Sequence, residues 1–260
     1  MTATTQGTER RVPPLGGFNL TFLALEIRRF LRNKRTVVFM IVLPVAIYAA
    51  FGNATASIGG GSSVSIKQYE MISLALYGAM LACTSGGSTV AVERALGWSR
   101  QLRLTPLRPP AYIVIKMLAA LALGLVPVVL LFAFGALRGV RLPVHVWILC
   151  GLAIWLGSLV FAALGLFIGY LLPSENVMQF LGPILGILSV FGGIFFPITV
   201  FSGTLQTIAK FTPVWGVAEL SRTPLLGGTV PVTAIVNIVA WLAVFAVGSM
   251  LAFRRDTKRV

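Results

Sequence analysis

The sequence predicts an all-α polytopic membrane protein with six transmembrane helices, and three observations carry that expectation. Of the 260 residues, 57% are hydrophobic and only 11% charged, whereas a soluble domain usually carries about 25% charged residues. The apolar residues gather into six long runs. The 21 basic residues, set against 7 acidic ones, fall mostly in the gaps between those runs. A nucleic-acid binder with the same formal charge of +14 would group its basic residues on one face or along one groove. Basic gaps between apolar runs are a membrane-topology pattern instead, and nucleic acid is not an expected partner.

The chain begins with a basic tail, residues 1–17, expected to be flexible. Residues 18–35 read as an amphipathic helix. Leu20, Leu23, Ile27, Phe30 and Leu31 share one face at helical spacing, and Glu26, Arg28, Arg29 and Arg32 share the other. Phe22 and Leu25 blur the division. Such a helix suits the membrane interface, basic face toward anionic headgroups. Anchoring of the first span and a coupling role are both open to it. No cleavable leader is visible in these residues, so the first apolar run is expected to stay as an anchor.

A hydrocarbon core of roughly 30 Å takes about 20 apolar residues in a helix. The six runs lie near 36–52, 71–92, 111–137, 144–172, 177–200 and 232–253, within one membrane domain over 36–253. The first is short, so its helix either tilts little or starts earlier, inside the basic flank. A cytoplasmic tail follows over 254–260. With the N-terminus inside, sixteen of the 21 basic residues fall on the cytoplasmic side. Lys67, Arg138, Arg141, Lys210 and Arg222 are left outside. That bias orients the chain with both termini cytoplasmic.

Inside the runs, Gly165-xxx-Gly169 and Gly182-xxx-Gly186 predict close helix–helix approach. Pro44, Pro127 and Pro183 predict kinks. Cys83 and Cys150 fall in apolar runs and read as small buried hydrophobes. Gln179, Ser189 and Asn237 are neutral polar groups that suit either a substrate path or a bond between helices. Glu219 and Arg222 suit an exposed salt pair.

The chemistry of catalysis is not expected here. There is one histidine, His145, at the start of the fourth run, and the acids are scattered singly. No carboxylate pair, metal-ligand cluster or activated nucleophile emerges, so neither catalytic nor metal residues are assigned. No phosphate-cradling G-x-x-x-x-G-K-S/T loop is present either, so the chain itself is expected to bind no nucleotide. A stand-alone secondary transporter is the alternative. Such carriers often place ionisable groups mid-membrane, although each costs about 2.5–3.5 kcal/mol to insert. The middle of every run lacks them. Glu93, Lys116 and Arg138 sit near the ends, where snorkelling suffices.

The gap between the second and third runs carries the identity. It reads Glu93-Arg94-Ala-Leu-Gly97-Trp-Ser-Arg-Gln-Leu102-Arg-Leu-Thr105-Pro106-Leu107. Apolar and basic residues alternate over one short helix, and Pro106 ends it by excluding Thr105 from helical geometry. The spacing E-R-x-x-G-x-x-x-x-L-x-x-T-P-L resembles the coupling-helix signature of type-2 ATP-binding-cassette exporter permeases. Those include drug-resistance and polysaccharide export permeases. The matched positions are Glu93, Arg94, Gly97, Leu102, Thr105, Pro106 and Leu107.

A second stretch agrees with that resemblance: Gly192-Gly193-Ile-Phe195-Phe196-Pro197, followed by Ile208-Ala209-Lys-Phe-Thr-Pro213-Val-Trp215. It is similar to the family's end of the fifth span, where short re-entrant helices form on the outer side. The resemblance implies a cytosolic ATPase subunit that receives the coupling helix and binds ATP and magnesium. It also implies a second permease copy, or a sister permease, because six spans are half the family's usual complement. Glu175, in the second cytoplasmic loop, is a candidate second ATPase contact and a candidate cap for the fifth helix. Phe195, Phe196 and Pro197 are candidates for an outer gate, and Phe195 and Phe196 equally suit ordinary packing. The implied activity is export of a hydrophobic or amphipathic substrate, with no cofactor in this chain. Composition rich in Ala, Gly, Val and Arg fits a bacterial plasma membrane.

Overall fold

A computed structural model describes residues 19–51, 64–97 and 109–258. Its regular elements are helical. In order they are α1 Leu20–Arg32, α2 Lys34–Phe51, α3 Ile66–Ser88, α4 Val90–Ala95, α5 Pro109–Leu137, α6 Val144–Gly157, α7 Leu159–Leu171 and α8 Ser174–Phe191. A 3-10 turn Ile198–Val200 follows, then α9 Gly203–Lys210, α10 Pro213–Leu226 and α11 Val232–Lys258.

Among the described residues five helical stretches are long and apolar enough to cross a membrane: Ile66–Ala95, Pro110–Leu137, Val144–Leu171, Ser174–Phe191 and Val232–Arg255. The first and third of these each join two elements across a single residue. At Thr89 and Ser158 the backbone keeps a near-helical conformation, and each hydroxyl donates back to a carbonyl of the preceding turn, Gly86 O at 2.8 Å and Ile154 O at 2.6 Å. The first of the six expected runs, the short one, is not among these five. Helix α2 begins at Lys34, inside the basic flank, and Met40–Ala50 is its apolar stretch among the residues whose side chains are described.

The fifth run also differs from its expected 177–200. Its helix starts at Ser174 and stops at Phe191, although the following residues stay apolar. Gly193 adopts φ +78° and turns the chain, a conformation that costs little only for glycine. The next 35 residues form the 3-10 turn, α9 and α10 rather than a longer span.

Helix α3 is the centre of the molecule. Within its most apolar window 78% of the residues are buried, against 17% for α11 and 24% for α8. It lies against α5 on one side and α7 on the other. Small residues make the second contact possible. A Cβ at Gly87 would lie 2.4 Å from Ala162 O, and one at Gly165 would lie 2.1 Å from Thr84 O. The two backbones therefore touch, as the Gly165-xxx-Gly169 pattern predicts. Gly182 and Gly186 behave differently: a Cβ at either meets nothing within 4 Å. Gly78 accommodates two of the intrahelical prolines, since its Cβ would fall 2.8 Å from Pro127 Cβ and 3.2 Å from Pro44 Cγ.

The side-chain contacts sort the charged residues into two ends. At one end Lys67 Nζ donates to Arg138 O and Gln68 Nε2 donates to Arg141 O at 3.1 Å. At the other end α1, α4, the start of α5, the end of α7 and the last turns of α11 converge. Alternating helix directions place α1 and the basic end of α11 together.

Candidate functional site

The converging end holds a buried ionic cluster at the root of the 98–108 segment. Glu93 sits in the single turn α4 that completes the second candidate span, and it is 3% exposed. One of its carboxylate oxygens, Oε1, accepts from Lys116 Nζ at 2.5 Å and from Arg29 Nη1 at 2.7 Å. The other, Oε2, accepts from the Tyr112 hydroxyl at 2.6 Å. Lys116 Nζ also donates to Glu26 Oε2 at 2.7 Å. Two carboxylates, one ammonium and one guanidinium thus balance in charge, and they join α1, α4 and α5.

Burial decides how much each member matters. The side chains of Lys116, Glu93 and Glu26 are 1%, 4% and 6% exposed, whereas that of Arg29 is 53% exposed. Taking charges out of water is costly, and only close, well-bonded pairing offsets it. Here each buried carboxylate meets the ammonium, and Glu93 gains the Tyr112 hydroxyl as well. Arg29 closes the cluster from the solvent side.

The neighbouring residue turns the other way. Arg94 Nη1 donates to Gly169 O at 3.1 Å and to Tyr170 O at 2.9 Å, and its guanidinium lies 5.6 Å from the centre of the Tyr170 ring. These carbonyls belong to the last turn of α7, where helical partners run out and a positive charge is favoured. Phe253 of α11 lies between the two branches, 5.8 Å from the Tyr112 ring and 6.0 Å from the Tyr170 ring. Glu93 and Arg94 together clamp the end of the second span between α1 and α5 on one side and α7 on the other.

Gly97 ends α4. It has φ +72°, and its N–H bonds to Arg94 O at 3.0 Å. A Cβ there would meet nothing within 4 Å, so the glycine serves the backbone turn rather than a close contact. The expectation of one short helix from Glu93 onward needs correction on this point. Glu93 and Arg94 complete the span's own helix, and Gly97 turns the chain out of it. Leu102, Thr105, Pro106 and Leu107 lie outside the described residues.

Two further expectations are corrected here. Glu26 belongs to the protein-facing stripe of α1, with Phe22, Leu23, Ile27 and Phe30, while Leu20 and Leu31 are 71% and 48% exposed. Its carboxylate points inward because Lys116 is there to receive it. Lys116 does not snorkel to an interface; it is buried and paired. The sequence signal for both was weak: an acid interrupting an apolar stripe, and a lysine eight positions into a 29-residue apolar helix.

The remaining candidates do not join this cluster. Glu175 is exposed in the first turn of α8, a position that suits its charge. The capping position is Pro173, and no side chain caps the helix. Helix α8 touches α4, so Glu175 lies at the same end as Glu93. Phe195, Phe196 and Pro197 lie beyond the opposite end of α8. The Phe195 ring packs 5.2 Å from that of Tyr77, Phe196 is 57% exposed, and Pro197 precedes the 3-10 turn. Ser189 is fully buried and bonds back to Leu185 O at 2.5 Å, so it lines no path within this chain.

Arg222 was expected to form an exposed pair with Glu219. It is buried instead, and no salt bridge joins the two among the described residues. Its Nη2 donates to Ser73 Oγ at 2.8 Å and to Gly193 O at 2.6 Å, and the guanidinium sits 4.3 Å from the Tyr69 ring centre. Burial pushes its pKa down, opposed electrostatically by Tyr69 and Glu219. Arg222 thereby ties α10 to α3 and to the turn after α8.

Comparison with known proteins agrees with this architecture. The chain is 27% identical over 237 residues to the Bacillus subtilis (strain 168) protein described as "Putative transport permease YvfS", covering 89% of this chain and 95% of that protein. Residues 19–226 match the family described as ABC-2 type transporter, a stretch that runs from the first described residue of α1's cap to the end of α10. With its long apolar helices, the chain is a multi-pass membrane protein and belongs to the ABC-2 type transporter family.

Proposed function

We propose that this chain is the permease subunit of a two-component ATP-driven exporter, moving a hydrophobic or amphipathic substrate such as a drug, lipid or glycolipid. The single observation that carries the mechanism is the divergence of Glu93 and Arg94 at the root of the 98–108 segment. A partner that displaces this segment acts directly on the end of the second span. Through Glu93 the displacement reaches α1 and α5, and through Arg94 it reaches α7. The motion then enters three helices at once instead of being absorbed by a loop.

In this reading a cytosolic ATPase seats residues from Glu93 to Leu107 and touches Glu175, and ATP and magnesium are bound there rather than by this chain. Helix α2 completes six crossings, both termini are cytoplasmic, and the protein resides in a bacterial plasma membrane. The sparsely covered face of α8, where Gly182 and Gly186 meet nothing, suits a second permease copy. The helices α9 and α10 form the re-entrant outer segment, and Phe195, Phe196 and Pro197 form an outer gate. The description of the Bacillus relative as a "Putative transport permease" agrees with this reading.

Purification of the tagged chain from native membranes in mild detergent tests it. The expected result is a stoichiometric ATPase subunit that carries a phosphate-binding loop, with ATP hydrolysis by the complex. Recovery of the chain alone, still competent for transport driven by an ion gradient, would establish a stand-alone carrier instead.

A further inference from the structure

A groove of about 860 Å³ opens between α9, α10 and the first half of α11, at the end of the molecule opposite the ionic cluster. Nothing in the coupling mechanism uses it. One wall is a stripe of α11 at helical spacing, from Thr233 through Asn237 and Trp241 to Val244. The facing wall is the end of α9, and its position is fixed. Asn237 Nδ2 donates to Lys210 O at 3.0 Å, and Trp241 Nε1 donates to Phe211 O at 2.8 Å. These bonds satisfy the terminal carbonyls of α9 and hold the two helices apart at a set spacing.

The lining is graded along α11. Near Thr233 the groove is flanked by Lys210 and Glu219; toward Val244 it is bordered by Ala240 and the Trp241 ring. Lys210 and Glu219 carry opposite charges, both line the groove, and neither has an ion-pair partner among the described residues. They do not pair with each other. The floor residue Trp215 is 8% exposed, and its Nε1 is buried without a hydrogen-bond partner, a rarity in folded proteins. Because α11 is a candidate membrane span, the apolar end of the groove lies at hydrocarbon depth and its charged end near the headgroups.

We propose that the groove binds a zwitterionic glycerophospholipid from the leaflet remote from Arg254 and Arg255. The phosphate lies at Lys210 and the headgroup ammonium at Glu219, with one acyl chain running along Ala240, Trp241 and Val244. A lipid with a net negative headgroup would satisfy Lys210 but leave Glu219 facing an anion. Charge complementarity therefore selects the zwitterion. This site is independent of any ATPase partner.

Photo-crosslinking of the full chain in vesicles tests the site. The probe is phosphatidylethanolamine carrying a diazirine in one acyl chain, compared with the matching phosphatidylglycerol probe, with labelled peptides mapped by mass spectrometry. Ile235 and Val239 are exposed on α11 outside the groove and report ordinary lipid contact. The expected result is labelling at Ala240–Val244 above that of Ile235 and Val239, stronger for phosphatidylethanolamine. The exposed-side charge pairing predicts that Glu219→Gln and Lys210→Met each lower groove labelling by about two- to fivefold. Labelling at Ile235 and Val239 should not change, which also shows that α11 of the variants is inserted in the membrane. Equal groove labelling by the two headgroups, or groove labelling no higher than at Ile235 and Val239, would overturn the proposal.

Discussion

Lys116 and Glu93 meet at 2.5 Å, from helices that are separate in sequence, with less than 5% of either side chain exposed. A bare lysine at that depth would be expelled from the fold, and a bare glutamate likewise. Their mutual burial is stable because Glu26 and Tyr112 fill the remaining positions around them. The pair therefore reads as the point where α1, α4 and α5 are joined electrostatically.

The cluster predicts a ranking of substitutions by stability. Lys116→Met leaves two carboxylates buried without the ammonium they share and should cost about 3–5 kcal/mol. Glu93→Gln keeps the Lys116–Glu26 pair and an acceptor for Tyr112, and should cost about 1–3 kcal/mol. Arg29→Met removes a half-exposed partner and should cost about 1 kcal/mol or less. Thermal unfolding of the purified variants in one detergent checks the order. An Arg29 variant as unstable as the Lys116 variant would refute it.

The two glycine pairs should respond in opposite ways. Gly165→Ala places a methyl 2.1 Å from Thr84 O, a backbone atom that cannot swing aside. Separation of α3 from α7 should cost about 1–3 kcal/mol or more. Gly182→Ala meets no atom within 4 Å and should leave the unfolding midpoint of the isolated chain unchanged. Equal effects at the two positions would contradict the observed α3–α7 contact.

Those pairs also show where sequence reading stops. Gly165-xxx-Gly169 and Gly182-xxx-Gly186 are the same pattern, and only the fold brings Thr84 to one and leaves the other open. The apolar runs were legible because a membrane-crossing helix must be apolar over a fixed length. The end of the fifth was not, since hydropathy continues through Ile194–Val200 while the φ of Gly193 has already turned the chain. The Glu93-Arg94-xx-Gly97 spacing drew attention to the segment where Glu93 and Arg94 diverge. What each residue touches was hidden, because Glu26 and Lys116 are 90 positions apart. Arg222 misled for the same reason: its nearest acid in sequence, Glu219, is not its partner, and Ser73 is 149 positions away.

Arg222 itself gives a further prediction. Arg222→Met removes the donors to Ser73 Oγ and Gly193 O and leaves the carbonyl of a tight turn buried. Hydrogen bonds from a charged group are worth about 1.5–3 kcal/mol each, so the loss should exceed that of Ser73→Ala, which removes only the hydroxyl partner. Unfolding midpoints of the two variants, measured side by side, should fall in that order. A Ser73→Ala variant less stable than Arg222→Met would place the weight of this contact elsewhere.

The central claim is that Glu93 carries motion from the ATPase into the spans, and its most direct test compares hydrolysis with export. The complex of this chain with the ATPase proposed for it, reconstituted into vesicles, would be assayed for both in the wild type and in Glu93→Gln. The account predicts that hydrolysis stays within about twofold of wild type while export falls about tenfold, a loss of roughly 1.4 kcal/mol of coupling. Export that persists unchanged, or that falls only in step with hydrolysis, would contradict it.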